Sequence, residues 1–192
     1  MAKLIYVMNI SLDGYISDRE GNFAWSEPSV ETFSMFNDLV RPVGTYLYGR
    51  RMYETMSVWE TAHVEPGAPA FAPGLGELER EFATLWRAKD KVVFSTTLAR
   101  VSTPRTRLER AVDPDQIRGL KATSERDITV GGPNLAAAML AANLVDDLHA
   151  VIHPVVLGGG NPWLPQDVRT KLELVSEHRL GGVAHLHYRV RR

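Results

Sequence analysis

Short apolar runs alternate along the chain with segments whose apolar residues recur every three or four positions. The runs are typical of buried strands and fall at residues 4–8, 46–48, 91–94, 128–130 and 148–153. The periodic segments are typical of helices and fall at residues 30–40, 77–87, 114–120 and 133–144. A Gly-Gly pair at 181–182 separates two more strand-like segments, 171–180 and 183–190, and predicts a hairpin. Strands that alternate with helices and end in an antiparallel hairpin predict an α/β sandwich around a mixed β-sheet.

Length and composition indicate an ordinary globular domain. The chain has 192 residues, 44% hydrophobic and 23% charged, which predicts one domain over residues 1–192. It contains no cysteine, which excludes disulfides, thiolate metal sites and a cysteine nucleophile. Its 22 lysines and arginines nearly balance its 23 aspartates and glutamates, so it lacks the basic excess typical of nucleic-acid binding. Its apolar runs are far shorter than the ~20 residues of a membrane span, and polar residues directly follow the first strand. We therefore expect a cytoplasmic protein with no membrane or nucleic-acid partner.

The most informative strand-to-helix junction contains Gly131, Gly132 and Pro133. Glycines lack a Cβ and let a ligand approach the backbone, while a helix start offers free N–H groups and a positive dipole end. Because Pro133 has no N–H, the available donors are those of Gly132, Asn134 and Leu135. The same residues also suit a tight turn with glycine as the helix cap, and the chain has no complete G-x-G-x-x-G fingerprint.

A second junction places two arginines after a strand. Gly49 is followed by Arg50 and Arg51, which fall in the first turn of a helix, where the helix dipole disfavours cations. Two arginines at this place are explained if an anion binds there. The alternative is a solvated pair balanced by Glu54.

A third junction follows the strand at 91–94 and carries hydroxyl groups. Ser95 and Thr96 can donate hydrogen bonds to phosphate or ribose, although both are also ordinary turn residues. Ligands of open α/β sheets collect beyond the carboxyl ends of the strands. The three junctions together therefore indicate a long, multiply charged ligand such as a dinucleotide.

These motifs, in this order, resemble the dihydrofolate reductase superfamily, above all the reductase domain of the bacterial riboflavin-pathway deaminase-reductase and its short stand-alone relatives. The motifs that carry the resemblance span nearly the whole chain: Ser11-Leu12-Asp13-Gly14, Gly49-Arg50-Arg51-Met52-Tyr53-Glu54, Val92-Val93-Phe94-Ser95, Gly131-Gly132-Pro133-Asn134-Leu135 and Pro154-Val155-Val156-Leu157-Gly158-Gly159-Gly160. The resemblance implies a dihydrofolate reductase-like three-layer sandwich. It also implies that NADPH lies across the strand ends and that hydride passes to a small heterocyclic substrate.

The resemblance assigns the nucleotide to residues of the three junctions. The pyrophosphate residues it implies are Gly131, Gly132, Asn134 and Leu135, with Gly49, Arg50 and Arg51 on the other flank. It places Ser95 and Thr96 near the adenosine 2′-phosphate. Many relatives have an arginine where this chain has Thr96, so recognition of that phosphate falls more heavily on Arg50 and Arg51.

Asp13 is the residue that we predict to be catalytic. Hydride transfer to a C=N or C=C bond leaves negative charge on the neighbouring atom, which must gain a proton. Asp13 lies in the shared motif after the first strand, while Glu27 and Glu31 are alternatives because folate reductases carry their acid on the next helix. Asp13 could also serve only as a turn former.

Two departures from the family pattern concern the substrate. Lys89 stands where folate reductases place an arginine for the glutamate carboxylate, and lysine is a weaker clamp for a carboxylate. The loop at 65–76, which corresponds to the substrate-phosphate region of the riboflavin-pathway reductases, contains no arginine or lysine. The substrate expected is most like 5-amino-6-(5-phosphoribosylamino)uracil. The alternatives are a pterin reductase of the dihydrofolate reductase type and a non-catalytic NADPH-binding protein.

Two histidine pairs provide a metal-binding alternative. His149 and His153 are four residues apart, and His185 and His187 alternate on a strand, so each pair faces one side of a sheet. With no cysteine or nearby carboxylate triad, we expect exposed strand histidines and no metal.

The end of the chain predicts self-association. The segment 148–156 is almost wholly apolar, and the terminal hairpin adds a strand pair at the end of the sheet. Relatives with this reductase domain commonly dimerise through terminal strands. We therefore expect a two-fold homodimer.

Overall fold

A computed structural model of the chain describes residues 1–63, 71 and 74–191. The strands are β1 (Leu4–Ser11), β2 (Tyr15–Ser17), β3 (Val43–Gly49), β4 (Asp90–Phe94), β5 (Thr106–Glu109), β6 (Asp127–Gly131), β7 (Asp147–His153), β8 (Asn161–Pro162), β9 (Lys171–Leu180) and β10 (Val183–Arg191). The α-helices are α1 (Val30–Val40), α2 (Arg50–Met56), α3 (Gly76–Ala88), α4 (Pro114–Thr123) and α5 (Pro133–Ala141). Short 3-10 helices lie at Ala24–Ser26 and Ser57–Glu60. Most of the predicted loop at 65–76 lies outside the described residues.

The strands form one large mixed sheet. Its order is β5-β4-β3-β6-β1-β7-β10-β9, in which the first six strands are parallel. In the terminal hairpin, β10 runs antiparallel to β7 and β9 runs antiparallel to β10. A separate two-stranded sheet joins β2 and β8. The predicted mixed sheet with a C-terminal antiparallel hairpin is confirmed.

Helices cover both faces of the sheet, which confirms the three layers. On the face that we call the α1 face, the aromatic residues Phe33, Phe82 and Trp86 from α1 and α3 pack against Tyr46 of β3. On the opposite face, α4 and α5 bury an aliphatic cluster against β1, β6 and β7. Alternation along β1 and the register Ile5↔Thr129 and Tyr46↔Thr129 place Ile5, Val7, Asn9 and Ser11 on the α1 face.

The helix boundaries follow local capping chemistry. The Ser29 hydroxyl accepts a hydrogen bond from the Thr32 N–H at the start of α1, and the Asp113 carboxylate caps α4 in the same way. Helix α5 ends at Ala141, three residues before the predicted end. The chain turns there because Asn143 adopts φ 54, a left-handed conformation typical of helix ends.

The structure corrects one basis of the dimer prediction and adds elements that the sequence pattern did not indicate. β7 pairs with β1 on one side and β10 on the other, so the apolar segment at 148–156 offers no free strand edge. The edge strands of the large sheet are β5 and β9. β2, β5 and β8 are short strands of two to four residues without a clear apolar run.

Candidate functional site

The two glycine junctions meet at the carboxyl edge of the sheet. β3 and β6 are parallel neighbours with Tyr48 beside Gly131, so Gly49 and Gly132 both follow at the same edge. A Cβ added to Gly132 would lie 3.9 Å from the Gly49 nitrogen, and one added to Gly49 would lie 4.0 Å from the Gly131 oxygen. Any side chain at these two positions would therefore fill the space between the junctions.

The adjacent glycines Gly131 and Gly132 are required for different reasons. A Cβ on Gly131 would lie 2.9 Å from both Met52 Cγ and Tyr48 Cδ1, so this position has no room for a side chain. Gly132 has φ 100, which L-residues rarely adopt, and it is the N-cap of α5. The first N–H groups of α5, those of Asn134 and Leu135, have no carbonyl partner within the helix and can bind an anion.

Arg50 connects this junction to the end of β4. Its Nε donates to Glu54 at 2.8 Å, and its Nη1 donates to the Thr97 hydroxyl at 3.0 Å. Arg51 is exposed and forms no ion pair with the described residues. The predicted balance by Glu54 thus applies to Arg50, whereas the guanidinium of Arg51 is available to a ligand.

A cavity of about 430 Å³ opens beyond the ends of β4 and β5. Its lining residues are Phe94, Ser95, Thr96, Arg110, Ala111 and Val112. The Ser95 hydroxyl accepts hydrogen bonds from the N–H groups of Thr97 and Leu98, so it shapes the turn, while Thr96 is exposed. Arg110 donates to the carbonyls of Ser95 and Leu98. Arg110 is not indicated by the sequence pattern because it follows β5, a strand with no apolar run.

Asp13 holds two loops together. Its carboxylate accepts hydrogen bonds from the N–H groups of Leu157 at 3.1 Å and Gly158 at 2.8 Å. The Ser11 hydroxyl, and after it these two N–H groups, hold the pKa of Asp13 below its ordinary value. The carboxylate is therefore ionised at neutral pH, the form that accepts a proton rather than the form that donates one. Its predicted catalytic role stays a prediction.

The two glutamates proposed as alternatives to Asp13 lie at the surface. Glu27 and Glu31 are both exposed at the start of α1. A Cβ on Gly181, in the β9–β10 turn, would lie 3.5 Å from Glu31 Oε2. The backbone N–H of Glu31, and after it the Ser29 hydroxyl, lower the pKa of Glu31.

A polar pair lies on the α1 face where β1 and β7 end. The His153 Nε2–H donates to the Asn9 side-chain oxygen, with 3.1 Å between the two atoms. The ring of Trp25 stands edge-on to His153 at 5.6 Å between centroids. Burial lowers the pKa of His153, so the imidazole is neutral at pH 7.

Three other histidines form a stacked cluster on β7 and β10, which we call the histidine cluster (His149, His185 and His187). The rings of His149 and His187 stack with 4.1 Å between centroids, and His149 Nδ1 lies 3.0 Å from His185 Nε2. His187 reaches Asp147, which also pairs with Lys3 at 2.8 Å. The expectation of exposed strand histidines is wrong, because register between strands buries His149 and His185.

Lys89 faces the interior rather than the carboxyl edge. It is 3% exposed, precedes β4 at the opposite edge of the sheet, and its amine donates to the Arg41 carbonyl at 3.1 Å. Desolvation, and then the charge of Arg126, lower the pKa of Lys89. Its amine is thus already used within the fold.

The described residues contain neither a metal centre nor a membrane-spanning helix. No three histidine or acidic side chains in the described parts of the chain are arranged to hold a metal ion. None of the described helices has the length and apolar character needed to cross a membrane.

Comparison with protein families decides where this chain belongs. The family model of the RibD C-terminal domain matches residues 2–186. The chain belongs to the RibD C-terminal domain family. Two relatives from Bacillus subtilis (strain 168), both of uncharacterised function, are similar along most of their length. YyaP is 27% identical over 175 residues, covering 90% of this chain and 85% of YyaP, and YwjB is 24% identical over 196 residues, covering 97% of each.

Solved structures show the same fold at low sequence identity. A protein from Shewanella sp. PV-4 assigned to riboflavin biosynthesis superposes with a TM-score of 0.75 at 22% identity, with all of both chains covered. A bifunctional deaminase and 5-amino-6-(5-phosphoribosylamino)uracil reductase from Thermotoga maritima gives 0.67 at 16%, covering 99% of this chain and 57% of that chain. Dihydrofolate reductase from Enterococcus faecalis, complexed with NADP(H), gives 0.57 at 14%, covering 99% and 97%. This RibD C-terminal domain protein therefore has the dihydrofolate reductase-like fold.

Proposed function

We propose that this RibD C-terminal domain protein is an NADPH-dependent reductase of a small heterocyclic substrate. The observation that carries the proposal is the meeting of Gly49 with Gly131 and Gly132 at the carboxyl edge, next to the cavity beyond β4 and β5. The Thermotoga maritima relative is named as a reductase, and the Enterococcus faecalis structure contains NADP(H), which supports the same activity here.

The residues at this edge suit a dinucleotide. The pyrophosphate would lie between the glycine junctions, where the N–H groups of Gly132, Asn134 and Leu135 can donate to it. Arg51 would approach it from the other side. The adenosine 2′-phosphate would lie in the cavity at Ser95 and Thr96, within reach of Arg50 or Arg110, because these guanidinium groups already bond to the turn that borders the cavity.

For Asp13 to take part in the reaction, the substrate ring must lie next to the end of β1. When bound, NADPH supplies a hydride to one carbon of the substrate. We propose that the ionised Asp13 carboxylate holds the water molecule through which a solvent proton reaches the substrate atom next to the reduced carbon. Its position two residues after the end of β1, bonded to the loop that follows β7, supports this role.

The substrate proposed is a pyrimidine-type ring, most like 5-amino-6-(5-phosphoribosylamino)uracil. Dihydrofolate is disfavoured because the amine of Lys89 is buried and bonded to Arg41, which leaves no clamp for a glutamate carboxylate at that position. The absence of cysteine is consistent with work in the reducing cytoplasm.

We also propose that the protein is a homodimer joined through β9. This ten-residue strand is a sheet edge, and its apolar residues Leu172, Leu174 and Val175 are 37%, 49% and 43% exposed. A long edge with apolar side chains is a template for pairing with another strand. A second copy can cover it by two-fold symmetry.

Nucleotide titration tests the proposed function. Loss of a charge-assisted contact to a phosphate costs ~2–3 kcal/mol, so we expect NADPH to bind roughly a hundredfold more tightly than NADH. The double variant Arg50→Ala/Arg51→Ala should lose most of this preference, and its NADH affinity should fall less than its NADPH affinity because both nucleotides lose the contact of Arg51 with the pyrophosphate. Arg118→Ala, on the exposed face of α4, should change neither affinity. Equal affinity of the unmutated protein for both nucleotides would refute the preference. Absence of binding would refute the whole proposal, and failure to oxidise NADPH with any heterocycle would indicate a binding protein instead.

A further inference from the structure

The pair Asn9 and His153 is a polar feature that the nucleotide does not explain. Asn9 lies on β1 beside Val151 of β7, and His153 ends β7. Both are on the α1 face, and β1 with Asn9 separates His153 on β7 from the β6 junction proposed for the pyrophosphate. A ring next to the hydride-donating end of a nucleotide in that position would lie against this pair.

The hydrogen bond within the pair leaves the side-chain NH₂ group of Asn9 free among the described residues. Its oxygen is used by the His153 Nε2–H, while its amide nitrogen donates to no described residue. His153 is 4% exposed and therefore a fixed partner, whereas Asn9 is half-buried and reachable. An amide held in this way presents N–H donors.

The pair has an aromatic neighbour and no bonded charged side chain among the described residues. Trp25 stands against His153, and its buried indole Nε1–H has no hydrogen-bond partner among the described residues. No described carboxylate bonds to Asn9 or to His153. A hydrogen-bond acceptor on a bound ligand would satisfy the N–H donors of Asn9 and Trp25.

We propose that Asn9 determines substrate specificity by donating from its amide nitrogen to a carbonyl oxygen or bare ring nitrogen of the substrate, and that His153 is the positioning residue that orients it. The inference rests on the proposed function and deepens it. It assigns the ring of the substrate to the uncharged, oxo-substituted heterocycles. Amino-substituted rings that gain a proton present N–H donors and need a hydrogen-bond acceptor on the protein. A carboxylate would supply that acceptor, whereas the free NH₂ group of Asn9 does not.

A matched pair of ring compounds tests the assignment by binding alone. Uracil and 2,4-diaminopyrimidine have the same six-membered ring, but uracil has carbonyl acceptors where 2,4-diaminopyrimidine has amino donors. Their affinities are measured by calorimetry on the protein saturated with NADPH. We expect uracil to bind about tenfold more tightly than 2,4-diaminopyrimidine, since a mismatched donor pair leaves polar groups unsatisfied.

Two sets of variants separate the specificity role from a structural one. Asn9→Asp has the same shape, still accepts from His153 and should reverse the preference, whereas Asn143→Asp, past the end of α5, should not. His153→Leu should reduce the preference to within about threefold, and His153→Gln, which keeps an N–H near the Nε2 position, should restore it.

The outcomes distinguish the inference from the proposed function. If the unmutated protein binds no nicotinamide nucleotide, the proposed function fails and this inference fails with it. If NADPH binds and Asn9→Asp leaves the ratio of the two affinities unchanged, the inference alone is refuted. Reversal by Asn9→Asp with unchanged NADPH affinity supports it.

Discussion

The histidine cluster makes the stability of the fold depend on pH, and His149 dominates this effect. Burial, and after it the neighbouring His187 and His185, lower the pKa of His149 from 6.5 to about 3. Because the folded pKa is depressed, the unfolded chain binds more protons below pH 6.5. Stability is therefore full above that value and falls progressively as the pH drops toward 3.

The size of the effect follows from the two pKa values. An imidazole that titrates at 6.5 when unfolded and near 3 when folded costs the fold ~2 kcal/mol between pH 7 and pH 5. Burial shifts the pKa of His185 and of His153 in the same direction, so the unmutated protein should lose more than this. Burial alone would raise the pKa of Asp147, but Lys3 and His187 lower it, so this carboxylate stays ionised throughout the interval.

Urea denaturation followed by circular dichroism measures the effect. His149→Asn keeps a polar atom near the Nδ1 that faces His185 and cannot gain a proton. We expect the variant to be less stable than the unmutated protein at pH 7, and the difference to shrink by ~2 kcal/mol at pH 5. Lys171→Asn, at an exposed position of β9, is the control. A difference between the unmutated protein and His149→Asn that stays constant across the pH range would refute the reasoning.

Three further expectations concern catalysis, packing and assembly. Asp13→Asn should lower kcat at least tenfold at constant NADPH affinity, as expected of an acid–base residue. If the variant instead melts at a much lower Tm and its activity falls only in proportion to unfolding, Asp13 has a structural role between the two loops. Gly131→Ala should destabilise the fold by ~1–3 kcal/mol in urea titrations because its Cβ clashes, while Gly119→Ala, in open space on α4, should not. In sedimentation, Leu174→Lys should yield monomers and Leu164→Lys should leave dimers; a monomeric unmutated protein would contradict the assembly.

The sequence predicts the parts of the fold in which local pattern and tertiary structure agree. The helix at 30–40 is found at the predicted bounds because its apolar stripe and the Ser29 cap indicate the same start. The Gly131-Gly132 junction is predicted because an apolar run, two glycines and a proline suited to the first turn of a helix follow one another in the sequence. Its position beside Gly49 depends on the pairing of β3 with β6, which the structure shows.

The parts that the sequence does not predict depend on register or on weak strands. His149 and His187 are 38 positions apart, and their stacking depends on the pairing of β7 with β10. No spacing within the chain indicates it. β5 has a single aliphatic residue, Leu108, so neither the strand nor the role of Arg110 after it is visible in the pattern.

The carboxyl edge of the sheet divides into two halves with different chemistry. The half formed by β3, β4, β5 and β6 has free helix N–H groups and the guanidinium of Arg51, which suit phosphates. The half formed by β1 and β7 has a neutral amide and imidazole, and its nearby cation, Arg19, donates to the Gly158 carbonyl. Asp13 ties the segment after β1 to the loop after β7, so both walls of the second half belong to one hydrogen-bonded unit. Asn9 lies in the second half, and the groups proposed to bind the phosphates lie in the first half. A substitution of Asn9 can therefore change which substrate ring binds without changing how the nucleotide binds.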